Sequence, residues 1–162
     1  MVSTLAETGS PYSPAIRPAR GAVLAFDFGL KRIGVALGDC ELGIAHPLQT
    51  VSGDSNEAKF AAIGRLIAEW QPVLVVVGVP FRLDGSEHEL ASQCRRFARR
   101  LEGRFGIPAV LVDERLTSAA ASACLDESGI RGRRQKPMLD QVAAQQILQT
   151  FFDGRVLLPA GA

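Results

Sequence analysis

Histidine and cysteine are scarce in this chain. Its 162 residues include two histidines and three cysteines. Cys40, Cys94 and Cys124 form no C-x-x-C pair, and their number is odd. This pattern argues against a zinc site or a disulfide framework and is typical of a reducing compartment, so we expect a cytoplasmic protein. Any metal must then be held by oxygen ligands, which favours Mg²⁺ or Mn²⁺.

A strong net charge and a long apolar run are also missing. The formal net charge is +1 and the sequence pI is about 7.8, unlike those of a strongly basic nucleic-acid binder. No signal peptide or membrane span is visible, so no membrane association is expected. Arginines and lysines nevertheless concentrate in residues 95–104 and 131–136. Such local patches can hold phosphates even when the net charge is near zero.

The length fits one domain with one sizeable core. Residues 1–20 carry Ser, Thr, Gly and three prolines without an apolar run, and we expect a disordered leader there. We expect the folded domain over residues 21–155 and a loose tail over residues 156–162.

The apolar pattern predicts an α/β fold. Short apolar runs at residues 21–28, 33–37 and 42–51 predict three strands in an antiparallel meander, the third at or near an edge. The period then alternates between helix and strand, with predicted helices at residues 56–70, 87–105, 118–127 and 138–152, predicted strands at 73–77 and 109–112, and a basic loop at 128–137. This order predicts a mixed five-stranded sheet, a meander plus parallel strands, with helices on its faces.

Three carboxylates stand at the ends of predicted elements. Asp27 ends the first strand, Glu114 follows the strand at residues 109–112, and Asp140 lies in the first turn of the last helix. Each has an ordinary interpretation, as a turn residue, a solvated loop acid and a partner of the helix dipole. Asp113 and Glu114 should point to opposite faces, so at most one of them faces a given site. If the three acids converge, their repulsion favours divalent cations, and two such ions about 4 Å apart can activate water for phosphodiester hydrolysis.

Four segments, in order along the chain, resemble the motifs of the YqgF family, also called RuvX. They are DFGLKRIGVA at residues 27–36, VGVP with DGS at 77–86, DERLT at 113–117 and KPMLDQVAA at 136–144. The resemblance implies a ribonuclease H-like fold and nuclease activity. It also implies that Asp27, Glu114 and Asp140 are the catalytic and metal-binding acids, holding two Mg²⁺ or Mn²⁺ ions.

The resemblance implies a nucleic-acid substrate as well. It suggests processing of the 5′ end of precursor 16S ribosomal RNA, with ribosomal particles as partners. Resolution of Holliday junctions in branched DNA is the alternative within the same family. The candidate phosphate contacts are the cations beside the acids and in the basic loop, Arg115, Arg131, Arg133, Arg134 and Lys136.

Two other classes of protein share part of this pattern. A D-x-G turn also opens the phosphate loop of the sugar kinase, heat-shock and actin superfamily. Those proteins pair two domains around a cleft, which 162 residues cannot supply, and usually carry a hydroxyl residue where this chain has Leu30. A non-catalytic nucleic-acid-binding module would use the basic segments equally well. Binding alone, however, gains nothing from carboxylates placed beside a phosphate chain.

Overall fold

The computed structural model describes residues 18–81, 86, 89–114, 135–154 and 157–158. Within them the strands are β1 (Ala22–Asp27), β2 (Arg32–Asp39), β3 (Ile44–Ser52), β4 (Leu74–Val79), β5 (Ala109–Asp113) and β6 (Leu157–Leu158). The helices are α1 (Asn56–Trp70), α2 (Ala91–Phe105) and α3 (Gln135–Phe152). In this part of the chain, no helix combines the length and hydropathy needed to cross a membrane. The predicted helix at 118–127 and nearly all of the predicted leader lie outside the described residues.

The strands form one mixed sheet in the order β3-β2-β1-β4-β5-β6. β1, β2 and β3 pair antiparallel as a meander, with β3 at an edge, and β1, β4 and β5 run parallel. The five predicted strands and their mixed arrangement are therefore confirmed. The tail differs from its prediction, because Leu157 and Leu158 pair with Val112 and Leu111 as a short sixth strand. This strand covers backbone groups that would otherwise stand open along β5.

Several element boundaries also differ from the predictions, most of all in β4, α2 and α3. β4 continues to Val79, because Gly78 and Val79 still pair with Val112 and Asp113. α2 begins at Ala91, four residues later than predicted. α3 begins at Gln135, so residues 135–137 belong to the helix and not to the predicted basic loop. A proline fits in the first helical turn because its missing N–H has no intrahelical acceptor there.

The two faces of the sheet carry separate cores. Alternate residues of a strand point to opposite faces, so Phe26 packs with α1 and α2, whereas Ala25 packs with α3. On α1, the apolar residues Phe60, Ile63 and Leu66 are buried, as expected for the inner face of an amphipathic helix. Trp70, at the C-terminal end of this helix, is 37% exposed, whereas the charged residue Lys59 is buried.

Glutamines spaced one turn apart attach α3 to the edge strand β3. The Gln141 amide donates to the Thr50 hydroxyl at 3.1 Å. Gln145 donates to the carbonyl of Ala45 at 3.0 Å, and the Gln149 side chain accepts from the Ala45 N–H at 3.2 Å. These bonds fix the helix along the sheet, and with it the position of every side chain that α3 presents.

Candidate active site

Asp27 and Glu114 reach one face of the sheet from two different strands. Asp27 ends β1 in the same alternation as Ala25, on the face that α3 covers. Glu114 follows β5 directly, and its N–H donates to the carbonyl of Val79 at 3.1 Å. This bond keeps Glu114 in register one residue beyond the strand, on the same face as Val112. Asp113 is turned to the opposite face by the same alternation.

Gly78 makes room for the carboxyl group of Glu114 because it has no side chain. β4 separates β1 from β5, and Gly78 follows the residue of β4 that pairs with Phe26. A Cβ atom at position 78 would lie 3.0 Å from Oε2 of Glu114 and 2.4 Å from Cδ1 of Ile147. A larger residue would therefore displace the Glu114 carboxyl group or α3. The sequence motif contained Gly78, but nothing in the local pattern indicated this role.

Glu114 is buried and Asp27 is half-buried, and their carboxyl groups are hydrogen-bonded to each other. Burial raises the pKa of Asp27 to about 6, although the bond from Glu114 lowers it and the charge of Asp140 raises it further. Burial also raises the pKa of Glu114 to about 9, with the charge of Asp27 as the next cause. At neutral pH, Glu114 thus keeps its proton and donates it to the ionised Asp27.

Cys94 of α2 lies close enough to this acid pair for the negative charge of the pair to affect the thiol. Burial raises the pKa of the Cys94 thiol, and the charges of Glu114 and Asp27 raise it further. The thiol is fully buried and remains protonated at any physiological pH. Cys94 is therefore a neutral neighbour of the acids and not a nucleophile or a thiolate ligand.

Asp140 approaches Asp27 from α3. Because the helix begins at Gln135, Asp140 lies in the second turn and not in the first, as the sequence had predicted. Gly34 of β2 pairs with Asp27, and a Cβ atom there would lie 1.9 Å from the backbone oxygen of Asp140. The helix backbone thus rests directly on the strand beside Asp27. The negative charge of Asp140 contributes to the raised pKa of Asp27.

Arg32 holds the Asp140 side chain. Its Nε donates to Oδ2 of Asp140 at 2.7 Å, with 37% of the Arg32 side chain and 20% of the Asp140 side chain exposed. Both residues line a cleft of about 550 Å³, together with Gln93 of α2. Residue-by-residue reasoning did not select Arg32 as a site residue, although it lies within the first motif. The cleft beside Asp140 is hereafter called the acidic cleft.

Two of the three predicted acids are in direct contact, and the third lies near them with a different partner. Asp27 and Glu114 form a direct pair, while Asp140 lies near Asp27 but is bonded to Arg32. Among the residues that the structure describes, no group of three or more His, Cys, Asp or Glu is arranged to hold a metal ion. The shared metal site of these three acids stays a prediction.

The predicted phosphate contacts lie largely beyond the described ranges. Arg115, Arg131, Arg133 and Arg134 fall outside them, and Lys136 is in the first turn of α3 with its side chain outside the description. In the other basic segment, Arg104 donates to Glu57 at 3.0 Å and lies over the ring of Phe60, 5.3 Å from its centroid. Arg104 therefore has a structural role between α1 and α2.

Solved structures with a similar fold are RuvC proteins of Thermus thermophilus. RuvC in complex with a Holliday junction substrate matches with a TM-score of 0.52 and 17% identity, covering 85% of this chain and 99% of that one. A second RuvC structure matches with a TM-score of 0.50 and 14% identity over the same shares. At this identity the likeness establishes the ribonuclease H-like fold, as predicted.

Sequence relatives cover a similar share of the chain. A protein of Methylobacillus flagellatus is 63% identical over 136 residues, or 84% of this chain and 93% of the relative. One of Nitrosospira multiformis is 60% identical over 141 residues, or 87% and 93%. Both carry the name "Putative pre-16S rRNA nuclease". The fold and these relatives define a nuclease of the ribonuclease H-like class. The profile of RuvX, described as Holliday junction resolvase, matches residues 21–154, and the chain belongs to this family.

Proposed function

We propose that this nuclease depends on divalent metal ions and cuts phosphodiester bonds at a site formed by Asp27, Glu114 and Asp140. The observation that carries the proposal is the direct hydrogen bond between the carboxyl groups of Asp27 and Glu114, at the ends of β1 and β5 on either side of β4. Burying two carboxyl groups against each other is unfavourable for folding alone. A pair kept at such a cost indicates a function that needs clustered carboxylate oxygens.

The donor set fits Mg²⁺ or Mn²⁺. Both ions prefer oxygen ligands, and the neighbouring Cys94 thiol stays protonated. Without a metal, the proton on Glu114 reduces the repulsion between the two carboxyl groups. A divalent cation would reduce this repulsion more strongly. Asp27 and Glu114 would hold the ion. Asp140 would become a third ligand once its ion pair with Arg32 is broken. Two bound ions would supply a water of lowered pKa and would stabilise charge on the leaving oxygen.

The chain's own cations would position the substrate. Arg32 lines the acidic cleft, and once its ion pair with Asp140 is broken it can donate to a phosphate oxygen there. Arg115, Arg131, Arg133, Arg134 and Lys136 are proposed as further phosphate contacts. Their support is the sequence, in which residues 131–136 carry four positive charges and no acid.

The proposed substrate is the 5′ end of precursor 16S ribosomal RNA in the cytoplasm, presented within a ribosomal particle. The names of the relatives at 60% to 63% identity support this choice. The buried Cys40 and Cys94 are free thiols, which suits a reducing compartment. Branched DNA is the second candidate, favoured by the description of the matching family.

Cleavage by the purified protein tests the proposal. Precursor 16S RNA, naked or in assembled particles, and a four-way DNA junction are each incubated with Mg²⁺, Mn²⁺ or EDTA. We expect the RNA end to be cut with either metal and not with EDTA. Preferential cutting of the junction would favour the second candidate. Undiminished cutting in EDTA, or no cutting of any substrate with either metal, would contradict the proposal.

A further inference from the structure

A second cavity, of about 770 Å³, lies across the β1–β2 turn from the acidic cleft. Both spaces are lined by Leu30, Lys31 and Arg32, so this turn is the wall between them. The far side of the second cavity is formed by the start of α1, including Ser55 and Lys59. A ligand in the acidic cleft, which Asp140 lines, could therefore continue across the turn into the second cavity.

Lys59 is the most unusual residue of this cavity. The residue is only 7% exposed, and its Nζ donates to the backbone carbonyl of Leu30. Among the described residues, Lys59 makes no other side-chain hydrogen bond and no ion pair. An ammonium group carries three N–H donors, and burying its charge against one neutral carbonyl is unfavourable. An anion in the cavity would supply the missing acceptors and the opposite charge.

The rest of the cavity wall also suits an anion. Lys31 is exposed in the turn, and the N-terminal end of α1 opens onto the cavity at Ser55 and Asn56. Helix N-termini carry partial positive charge and orient N–H groups outward. Asp54 is the acid among the lining residues, against the cations Lys31, Arg32 and Lys59. Since Arg32 is paired with Asp140, two cations still outweigh one acid.

We propose that the second cavity binds a backbone phosphate of the same nucleic-acid strand whose cleaved bond lies at the acids. This inference rests on the proposed function and extends it by a second point of contact. Lys31 and Lys59 bind the phosphate, and the nucleic-acid strand crosses the turn at Leu30, a residue that is 62% exposed. The ligand is a phosphodiester of RNA or DNA, and its contacts carry no base specificity.

Binding without cleavage tests this inference. In an Asp27→Asn background, fluorescence anisotropy follows a labelled RNA bearing the precursor 16S 5′ end, or a labelled four-way DNA junction. Lys31→Gln and Lys59→Met are each expected to weaken binding about tenfold, the usual size of a lost charged hydrogen bond. Each should also lower the salt slope by about 0.7 to 0.9 between about 50 and 200 mM salt. Arg65→Gln, an exposed cation on the same helix, is the matched control and should change neither affinity nor salt slope beyond what loss of a distant surface charge causes.

A scan of neutral phosphates locates the contact. Methylphosphonates replace single phosphates of the probe in turn, and one position should weaken binding of the parent protein but not of Lys31→Gln. A merely structural lysine would not produce this dependence on one phosphate. Effects limited to the RNA or to the DNA identify which nucleic acid occupies the cavity.

The outcomes separate the two proposals. A parent protein that binds neither nucleic acid contradicts the proposed function itself. A parent that binds while Lys31→Gln matches Arg65→Gln in affinity and salt slope overturns the second cavity alone. Thermal denaturation checks the fold of Lys59→Met, and if its Tm falls strongly, the exposed Lys31→Gln decides the result.

Discussion

Where the acids lie, the strands present much smaller residues to α3 than they present to α1 and α2 on the other face of the sheet. On the α1 and α2 face, the rings of Phe26 and Phe60 pack against Phe97, with centroids 5.7 Å and 5.8 Å away. On the α3 face, Gly34 and Gly78 carry no side chain, and α3 lies almost in contact with the strands. Large rings fill a thick core that serves stability. Small residues bring a helix close enough for its acid to meet the acids of the strands.

The largest expected difference between the faces concerns activity. Asp27→Asn on the α3 face keeps the shape of the side chain and removes a ligand charge. We expect cleavage to fall by more than about 100-fold, above the usual effect of losing a residue that only supports a metal ligand. Single-turnover cleavage at saturating Mg²⁺ measures this, with circular dichroism to verify the fold.

The matched variant for the other face is Phe97→Leu. It should lower the free energy of unfolding by about 1 to 2 kcal/mol through poorer packing, while folded molecules cut at the normal rate. If Asp27→Asn cuts normally, Asp27 is a turn residue, and the functional contrast between the faces disappears.

Close packing of α3 is tested at Gly34. In Gly34→Ala, the new Cβ atom meets the backbone oxygen of Asp140 at 1.9 Å, so the helix must move away. We expect a loss of about 1 to 3 kcal/mol in unfolding free energy and a fall in cleavage as Asp140 leaves Asp27. Chemical denaturation and cleavage assays measure the two effects.

Gly103→Ala on α2 is the control, since nothing lies within 4 Å of its added Cβ atom. It should raise stability by about 0.5 to 1 kcal/mol through helix propensity, with unchanged activity. Equal behaviour of both alanine variants would show that α3 is not held closely at Gly34.

The acid pair should make stability depend on pH. The pKa of Glu114 rises on folding from 4.5 to about 9, so between these values the folded chain holds a proton that the unfolded chain releases. The contribution is full below pH 4.5 and is lost as the pH rises to about 9. We therefore expect the Tm in EDTA to fall from pH 5 to pH 9.

Two changes should flatten this dependence. Glu114→Gln removes the titrating group, so its Tm should vary less with pH than that of the unchanged chain. Mg²⁺ should restore stability most at high pH, where it replaces the lost proton. A wild-type Tm that rises over this range in EDTA would be the opposite sign and would refute the proton-sharing pair.

The smallest effect is expected at the Arg32–Asp140 ion pair. Arg32 competes with a cation for Asp140, so Arg32→Gln should tighten Mg²⁺ binding by about two- to fivefold, the range of exposed ion pairs. Isothermal titration calorimetry measures this. Arg104→Gln, which breaks the exposed pair with Glu57 on the other face, should leave Mg²⁺ affinity unchanged. Weaker Mg²⁺ binding in Arg32→Gln would mean that Arg32 helps to orient Asp140.

Elements with a strong local pattern were predictable. The bounds of α1, residues 56–70, agree with the apolar period, and the β-branched run near residue 75 is a fully buried strand. Elements and boundaries that depend on a partner distant in the sequence could not be predicted. β6 exists because β5 offers it an edge, and its two leucines alone resemble a loose tail. The hydrogen-bond partners of the α3 glutamines are equally remote, since they lie on β3, about 100 positions away in the sequence.

By itself, the sequence determined the strand and helix order, the family motifs and the choice of Asp27, Glu114 and Asp140 as candidate acids. Those features follow from local periodicity and from short motifs, which need no knowledge of distances between elements. Only the tertiary structure decided that Glu114 shares a proton with Asp27 across Gly78, that Arg32 holds an acid 108 positions away, and that Lys59 is buried beside a cavity. The physical reason is that burial and charge act over a few ångströms in space, and the packing of α3 and the turn sets those distances.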